Sequence, residues 1–322
     1  MKVLLTGGAG FIGSHVSERL VARGDDVVIV DSFDTFYDPE IKRRNIAEVL
    51  ASTKATLIEV DICERDALDA ALGNDGIDAV VHLAARAGVR PSLERPMDYV
   101  RTNVEGTQSL LEIARAREIR PFVFGSSSSV YGVSTPVPFR ESESANNPIS
   151  PYAATKRAGE LLCHTYAHLY GMSVACVRLF TVYGPRQRPD LAIHKFARLM
   201  SRGKEIPLYG DGSTERDYTY IDDIVDGIVS ALDWTVASDA GVFEVVNLGE
   251  SRTTSLARLV EIIGSEIGVS PKIHRLPNQP GDVRRTFADV TKARELFGYN
   301  PATTVEEGIR RFADWFRAQP SS

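Results

Sequence analysis

The stretch that decides the fold is Lys2-Val3-Leu4-Leu5-Thr6-Gly7-Gly8-Ala9-Gly10-Phe11-Ile12-Gly13, close to the start of the chain. A short apolar run leads directly into glycines at a spacing of three, and a helical pattern follows. Glycines in a tight turn between a strand and a helix let the backbone approach a pyrophosphate closely, and the helix N-terminus supplies amide donors. The stretch therefore predicts a strand–turn–helix unit that binds a dinucleotide.

Asp31 is the second feature of this pattern. It ends a predicted strand at 26–31, at the position where an acid binds the ribose hydroxyls of adenosine. Because a carboxylate there repels a 2′-phosphate, the pattern favours NAD over NADP as the cofactor. The other role open to Asp31 is that of a turn or cap residue, and Asn103 is either a cofactor contact or an ordinary helix residue. The residues expected at the cofactor are Gly7, Gly10, Phe11, Ile12, Gly13, Asp31, Ser32, Asp61, Ile62, Leu83, Ala84, Ala85, Asn103, Tyr152 and Lys156.

The order of strand and helix patterns predicts the architecture. Apolar strands alternate with helices through the first 180 residues, which is typical of a parallel sheet buried on both faces. We therefore expect an α/β fold, a Rossmann-type doubly wound parallel sheet with a smaller, discontinuous α/β substrate domain. The predicted strands of the large sheet are 2–6, 26–31, 56–60, 79–83, 122–125 and 174–179, and the two longest predicted helices are 97–117 and 152–170.

Two domains are expected, because the regular alternation of predicted strands and helices ends after Phe180. The cofactor-binding domain covers 1–179, with returning segments at about 221–248 and 286–290. The smaller domain comprises 180–220, 249–285 and 291–322, and it includes a predicted strand at 216–220.

Composition excludes several classes of protein. The 322 residues carry a net charge of −6, so nucleic acid is not an expected partner. No apolar run approaches the roughly 20 residues of a membrane span, and we expect the chain to start as mature fold without a signal peptide. The three cysteines lack metal-binding spacing, so we expect no metal and a cytoplasmic protein with unpaired thiols.

Tyr152 and Lys156 form the candidate catalytic pair. They stand four apart at the start of a predicted helix, so they share one face, and a run of serines at 126–129 follows the fifth strand. A lysine ammonium and the positive nicotinamide of NAD lower the pKa of a nearby phenol, which then acts as a base near neutral pH. By itself such a pair is usually a solvated helix pair. Its combination with the serine run and the glycine turn indicates a catalytic site.

With these motifs the chain resembles the extended short-chain dehydrogenase/reductase family, the NAD-dependent epimerases and dehydratases of nucleotide sugars. The resemblance covers essentially the whole chain and includes the segments at 6–13, 178–185 and 216–223 as well as Tyr152 and Lys156. It implies that Tyr152 is the base, that Lys156 holds the nicotinamide ribose, and that Ser127 is the third catalytic residue. It also implies a homodimer that pairs through the helices at 97–117 and 152–170.

The same resemblance implies a nucleotide-sugar site. Arg216 resembles the family arginine that grips the diphosphate, and Asp282 lies near the uridine ribose. Tyr209 is either stacked beside uracil or a core tyrosine. The full set of expected substrate residues is Arg90, Ser127, Ser128, Ser129, Tyr152, Thr181, Arg188, Tyr209, Arg216 and Asp282.

The positions of Ser128 and Ser129 bear on the reaction. Family dehydratases carry an Asp-Glu pair there, and the decarboxylases of UDP-glucuronate carry a Glu at the second position. Two serines supply neither acid, so 4-epimerisation through a 4-keto intermediate is the expected reaction, with hydride returned from NADH.

Three segments resemble the UDP-glucuronate 4-epimerases of the family: 31–39, 87–92, and 180–185 with 188–190. This resemblance implies a uronate whose carboxylate is held by Ser128, Ser129 and Thr181, with charge from Arg188 or Arg90. Alternatively, these arginines bind the diphosphate or surface acids. The segments at 186–187 and 209–212 depart from the uronate pattern.

Other functions stay open at this point. They are a UDP-glucose/UDP-galactose 4-epimerase, an NAD-linked nucleotide-sugar dehydrogenase or decarboxylase, and a non-catalytic NAD-binding regulator.

Overall fold

A computed structural model describes residues 1–74, 76–133, 135–277 and 283–319. Its strands are β1 (Lys2–Thr6), β2 (Asp26–Asp31), β3 (Ala55–Glu59), β4 (Ala79–His82), β5 (Pro121–Ser127), β6 (Ser173–Leu179), β7 (Thr181–Tyr183), β8 (Ile206–Tyr209), β9 (Glu215–Arg216), β10 (Tyr218–Tyr220), β11 (Phe243–Leu248), β12 (Thr254–Ser255) and β13 (Ile273–Leu276). Its α-helices are α1 (Phe11–Arg23), α2 (Pro39–Ile46), α3 (Arg65–Leu72), α4 (Val89–Glu94), α5 (Pro96–Val100), α6 (Gly106–Ala116), α7 (Pro151–Tyr170), α8 (Ala192–Ser201), α9 (Ile221–Ala237), α10 (Leu256–Ile267), α11 (Thr291–Phe297) and α12 (Val305–Ala318).

A seven-stranded parallel sheet forms the centre of the molecule, in the order β11-β6-β5-β4-β1-β2-β3. The predicted Rossmann-type α/β fold is thereby confirmed. The strand order reverses between β1 and β4, and in such sheets ligands bind at the carboxyl ends of the strands beside that point. The glycine turn after β1 and the serines at the end of β5 both lie on this edge.

Alternate residues of the strands feed two separate cores, one on each face of the sheet. Val3 and Leu5 belong to one core and Leu4, between them, to the other, as the two-residue period of a strand requires. Helices α1 and α9 pack on one face, and α3, α6 and α7 pack on the other. Burial on both faces explains why the strands are apolar throughout rather than alternating.

Several segments after β6 form smaller sheets. The pairs are β7 with β10, β9 with β12, and β8 with β13. After β10 the chain returns to the large sheet: α9 packs against β5, β6 and α1, and β11 pairs with β6. None of the helices in the described ranges is long and apolar enough to cross a membrane.

The predicted helix at 97–117 is confirmed as one continuous helical stretch, although it is not α-helical throughout. It consists of α5, a π-helical segment at Arg101–Glu105, and α6. The π segment contains Asn103, whose side-chain amide donates to the backbone oxygen of Arg86 and to Thr155 and whose oxygen accepts from the backbone N–H of Arg86. A π-helical segment of this kind is frequent at functional sites. Here it turns Asn103 toward the chain that follows β4.

The prediction of one continuous strand at 216–220 was wrong. It is divided at Asp217 into β9 and β10, which pair with different strands. The carboxylate of Asp217 accepts hydrogen bonds from the backbone N–H groups of Glu250, Ser251 and Ala288. These contacts join three separate parts of the chain, which explains the interruption.

Candidate active site

The glycine turn makes room for a ligand at the edge of the sheet. Gly7 has a φ of 70°, and a Cβ on it would lie 2.6 Å from the backbone nitrogen of Ala84. A side chain at Gly13 would collide with the carbonyl oxygen of Gly7. Gly10, at the N-cap of α1, provides no side-chain acceptor for the first amides of this helix. The first backbone N–H groups of α1 therefore face the cavity without a side-chain acceptor. Their positive potential favours binding of a pyrophosphate.

A cavity of about 460 Å³ extends from this turn across the carboxyl ends of the strands. Fourteen of the fifteen residues predicted at the cofactor line it, and Asn103 does not. Asn103 is instead a buried residue that fixes the backbone of Arg86, next to the lining residues Ala84 and Ala85. Its predicted contact with the cofactor stays a prediction, and the structure shows it supporting the wall of the cavity.

Asp31 lies at the end of β2 with its carboxylate already engaged. It accepts hydrogen bonds from the backbone N–H of Ala9 (3.2 Å) and of Phe33 (2.9 Å). Lys42, on α2, places its Nζ 3.1 Å from Asp31 Oδ1, and both side chains are buried and line the cavity. Sequence reasoning missed Lys42, because no local pattern indicates that α2 returns to the end of β2.

The catalytic candidates meet at the other end of the same cavity. Ser127 ends β5, and Tyr152 and Lys156 occupy the first turns of α7. The helix begins there because Ser150 caps it, accepting from the N–H of Ala153 (3.1 Å), and Pro151 takes its first position. All three side chains line the cavity, and the Ser127 hydroxyl acts to lower the pKa of Tyr152.

In the chain by itself the pKa of Tyr152 shows no lowering by Lys156, so the lowering expected beside the cofactor stays a prediction. Burial raises the pKa of Tyr152, while the nearby hydroxyl of Ser127 and the charge of Arg188 oppose this rise. The ammonium of Lys156 is directed at the carbonyl oxygen of Gly125, 2.7 Å away, and burial lowers the pKa of Lys156 to about 8. The contribution assigned to the nicotinamide stays a prediction.

A buried ion pair supports the strand end that carries Ser127. Arg178 donates to Glu160 through Nε and Nη2, both at 2.9 Å, and neither side chain is more than 2% exposed. Ser126 donates to the same carboxylate at 2.6 Å. Burial raises the pKa of Glu160, but the hydrogen bonds and charge of Arg178, together with the hydrogen bonds from Ser126 and Arg157, outweigh that effect and hold the pKa below its usual range. Glu160 stands four residues after Lys156, so this pair connects β5, β6 and the catalytic helix.

The predicted carboxylate residues separate into two groups. Thr181 and Arg188 line the cavity beside Tyr152 and Ser127. Ser128 and Ser129 line neither this cavity nor the second one described below; they form a short 3₁₀ turn in which the N–H of Ser129 donates to Ser127 Oγ. The structure therefore assembles Thr181 and Arg188 with the catalytic candidates, while the predicted contact of the two half-buried serines with the carboxylate stays a prediction.

A second cavity of about 710 Å³ contains the other predicted substrate residues. Arg90, Tyr209 and Arg216 line it, and the guanidinium of Arg90 lies 4.7 Å from the centre of the Tyr209 ring. Lys195 and Arg284, which sequence reasoning missed, add positive charge. Arg90 thus lies with Arg216 rather than with Arg188. Tyr209 is half-buried at the cavity wall, which excludes a role as a core tyrosine.

Asp282 lies outside the described residues. No cluster of three or more His, Cys, Asp or Glu side chains suited to a metal ion occurs in the described part of the chain.

The fold and the site together define a class of protein. A glycine turn at the switch point of a parallel sheet, beside a Ser–Tyr–Lys set, is the arrangement of a short-chain dehydrogenase/reductase. The chain belongs to the NAD dependent epimerase/dehydratase family, whose model matches residues 3–249. NAD is therefore its cofactor, and the glycine turn, the open helix N-terminus and Asp31 form a cradle that fits it.

Relatives of this chain show how closely it follows one branch of the family. It is 41% identical to a UDP-glucuronate 4-epimerase of Thermodesulfobacterium geofontis, covering 97% of this chain and 95% of that protein. It is 40% identical to a probable UDP-glucuronate 4-epimerase of Rhizobium meliloti, covering 98% and 97%. The crystal structure of UDP-glucuronic acid 4-epimerase from Bacillus cereus with UDP-glucuronic acid and NAD superposes with a TM-score of 0.91 at 36% identity, covering 98% of this chain and 99% of that one.

Proposed function

We propose that this protein is an NAD-dependent 4-epimerase that interconverts UDP-glucuronate and UDP-galacturonate through a transient 4-keto sugar. One observation carries the proposal: Tyr152, Ser127, Thr181 and Arg188 line one cavity with the glycine turn. The set combines a proton acceptor, a hydroxyl partner and a cation at the sugar end. The resemblance to the uronate epimerases of Thermodesulfobacterium geofontis and Bacillus cereus supports the same reaction.

The residues of the chain supply the proton chemistry and the positioning. When bound, NAD takes a hydride from C4 of the sugar and returns it. Tyr152 accepts the proton of the 4-hydroxyl and gives it back, and Ser127, which lines the same cavity, supplies a second hydroxyl to share that proton. Lys156, anchored on Gly125, presents its ammonium to the nicotinamide ribose. Asp31 holds the adenosine ribose, and the amides of α1 hold the pyrophosphate.

The carboxylate of a uronate needs its own restraint. A 4-keto uronate is a β-keto acid, which loses CO₂ unless the carboxylate is held in an orientation that disfavours bond cleavage. Arg188 provides the charge and Thr181 the hydroxyl. Ser128 and Ser129 contain no acid, which fits a site that neither dehydrates nor decarboxylates the intermediate.

The second cavity takes the nucleotide in this proposal. Arg90, Arg216, Lys195 and Arg284 surround it with positive charge, and the ring of Tyr209 offers a face for uracil. Asp190 lines this second cavity and forms an ion pair with Arg188, which lines the first cavity. The two cavities therefore meet at this ion pair, and the substrate extends from one into the other, with the nucleotide in the second cavity and the sugar in the first. The segments 180–220, 249–285 and 291–322 then act as the nucleotide-sugar domain on the cofactor-binding domain.

We also propose a cytoplasmic homodimer. Large apolar side chains are exposed on α7, including Leu161 (54%) and Leu169 (60%), and Val100 (43%) is exposed on α5. Pairing of these helices across a two-fold axis buries them. The cysteines Cys63, Cys163 and Cys176 are free, as in a reducing compartment. Light scattering should give twice the chain mass; a monomer at micromolar concentration would contradict the dimer.

The substrate is tested by incubating the purified protein separately with UDP-glucuronate and UDP-glucose and resolving the products by chromatography. We expect UDP-galacturonate from the first, with no NADH accumulating at 340 nm because the hydride returns to the sugar. Conversion of UDP-glucose alone would replace the uronate by a neutral hexose. Stoichiometric free NADH would indicate a dehydrogenase instead.

A further inference from the structure

The loop at residues 32–38, between β2 and α2, reaches across the cavity to the residue that faces the sugar carboxylate. The loop belongs to the segment at 31–39, one of the three that resemble the UDP-glucuronate 4-epimerases. Asp34, Phe36 and Tyr37 of the loop line the cavity together with Arg188. The loop and Arg188 are about 150 positions apart in the chain, so only the fold brings them together.

The loop has a defined conformation, held at several points. The carboxylate of Asp34 accepts from the backbone N–H of Phe36 (2.8 Å) and from Nη2 of Arg86 (2.6 Å). Phe33 adopts a φ of 49°, and its ring lies 4.1 Å from the guanidinium carbon of Arg43. Asp38 caps α2 through the N–H of Glu40 (3.0 Å). These contacts leave Phe36 at a fixed place on the cavity wall.

Phe36 lies against the guanidinium of Arg188, with 4.8 Å between the guanidinium carbon and the ring centre. Arg188 donates to Asp190 through Nε (3.0 Å) and Nη2 (2.7 Å), and Nη2 also donates to the carbonyl oxygen of Ala87 (3.3 Å). The two N–H groups on Nη1 have no acceptor within the described ranges of the chain. Hydrogen bonds to Asp190 and Ala87 thus fix the guanidinium of Arg188, and the ring of Phe36 packs against its flat face. Nη1 is left to bind a ligand.

We propose that Phe36 is a specificity-determining residue, which fixes the guanidinium of Arg188 so that it addresses the carboxylate of a uronate. The inference rests on the proposed function. An arginine side chain that is already ordered loses little rotamer freedom when an anion binds, and the aromatic face attracts the cation without competing for its N–H groups. A neutral sugar has no carboxylate at C6 and gains nothing from this arrangement.

The test compares two ligands that differ at C6, UDP-glucuronate and UDP-glucose, together with UDP. Each is titrated calorimetrically into the NAD-loaded wild type and into Phe36→Leu, which keeps an apolar side chain but removes the aromatic face. We expect Phe36→Leu to weaken UDP-glucuronate by about three- to tenfold and to change UDP-glucose and UDP by less than about twofold. Steady-state kinetics should show this loss in KM for UDP-glucuronate more than in kcat.

Two further variants separate positioning from general packing. Phe36→Tyr retains the ring and should retain the affinity for UDP-glucuronate. Phe287→Leu is the matched control, because Phe287 lies 5.3 Å from the guanidinium carbon of Arg285 and lines neither cavity; it should leave all three affinities unchanged. The NAD content of each variant reports whether the cofactor cavity is intact.

The outcomes distinguish the inference from the function on which it rests. Equal losses for all three ligands, or an unchanged affinity for UDP-glucuronate in Phe36→Leu, would overturn the role of Phe36 while leaving the reaction in place. A Phe36→Tyr variant as weak as Phe36→Leu would also overturn it. A wild type that converts UDP-glucose and not UDP-glucuronate would instead overturn the proposed function.

Discussion

Replacement of Asp31 by Asn should reveal two roles of this carboxylate at once. Asp31 is proposed to bind the adenosine ribose, and it is also the partner of the buried ammonium of Lys42 at 3.1 Å. Asp31→Asn preserves the size of the side chain and one oxygen for hydrogen bonding, but it removes the charge. The variant therefore loses an interaction with the cofactor and leaves a buried cation without its counter-ion.

The magnitude follows from burial. The side chain of Lys42 is 10% exposed and that of Asp31 5%. Removing one partner of a buried ion pair typically costs about 3–5 kcal/mol. Because Asn keeps an oxygen near Lys42, we expect Asp31→Asn to lower the free energy of unfolding by about 2–4 kcal/mol, a large share of a typical total of about 5–15 kcal/mol. A hydrogen bond to a charged group is worth about 1.5–3 kcal/mol, so NAD should bind roughly ten- to a hundredfold more weakly.

Lys42 changes the expectation for NADP. With Asp31 present, its ammonium is paired and the carboxylate repels a 2′-phosphate. In Asp31→Asn the repulsion disappears and the ammonium becomes available to the phosphate. The preference for NAD over NADP should therefore narrow in Asp31→Asn and widen again when Lys42→Met is added.

The assay is a double-mutant cycle of Asp31→Asn and Lys42→Met. Urea unfolding gives the free energy of each variant, and titration with NAD and with NADP gives the cofactor preference. We expect the double variant to lose less free energy of unfolding than the two single variants lose together, because it removes both partners of the ion pair and leaves no buried charge unpaired. Strictly additive losses would refute the energetic coupling, and an unchanged NAD affinity in Asp31→Asn would refute the role of Asp31 at the ribose.

Three further predictions concern the catalytic, substrate and buried acidic groups. Tyr152→Phe should reduce turnover by ~10²–10⁴-fold, because the proton acceptor is lost, and should still copurify with NAD, as absorbance of the released cofactor will show; near-normal turnover would contradict the mechanism. Arg188→Ala should weaken UDP-glucuronate by roughly ten- to a hundredfold in calorimetric titration and leave UDP nearly unchanged, whereas equal losses would place Arg188 at the diphosphate. Glu250→Gln should raise the melting temperature more at pH 8 than at pH 5. The carboxylate oxygens of Glu250 are buried without a hydrogen-bond partner in the described ranges, and burial above all raises its pKa from 4.5 to about 7. The folded state then binds the proton more tightly than the unfolded state, so this group's contribution to stability is present below about pH 4.5 and is lost as the pH rises through about 7. A variant with the same advantage at both pH values would contradict this assignment.

Features that depend on short stretches of chain were predictable from the sequence. The three-residue spacing of Gly7, Gly10 and Gly13 after an apolar strand indicates the turn, and close approaches at Gly7 and Gly13 exclude side chains there. The interval between Tyr152 and Lys156 places them on one face of α7 regardless of what surrounds the helix. The parallel sheet followed from uninterrupted apolar strands between helices. Each of these inferences uses geometry within a few residues.

Helix and strand interruptions were beyond such reasoning. The π segment at Arg101–Glu105 and the division at Asp217 break patterns that look regular locally. In both cases a buried polar side chain forms hydrogen bonds with backbone groups far away in the chain. The energy of those contacts outweighs the local preference for a continuous element, and their partners cannot be read from the interrupted segment.

Contacts between distant segments were decided by the tertiary structure alone. The pairing of Lys42 with Asp31, of Phe36 with Arg188, and the assignment of Arg90 to a different cavity from Arg188 all depend on how separate loops meet at the edge of the sheet. The charge of a side chain is a property of the sequence. Its partner, its burial and the direction of its N–H groups depend on packing, because electrostatic and cation–π interactions act over a few ångströms in space and have no period along the chain. The sequence by itself thus determined the cofactor fold and the placing of Tyr152 and Lys156 on one helix face, while the structure decided which cation lies in the cavity with them and what holds it there.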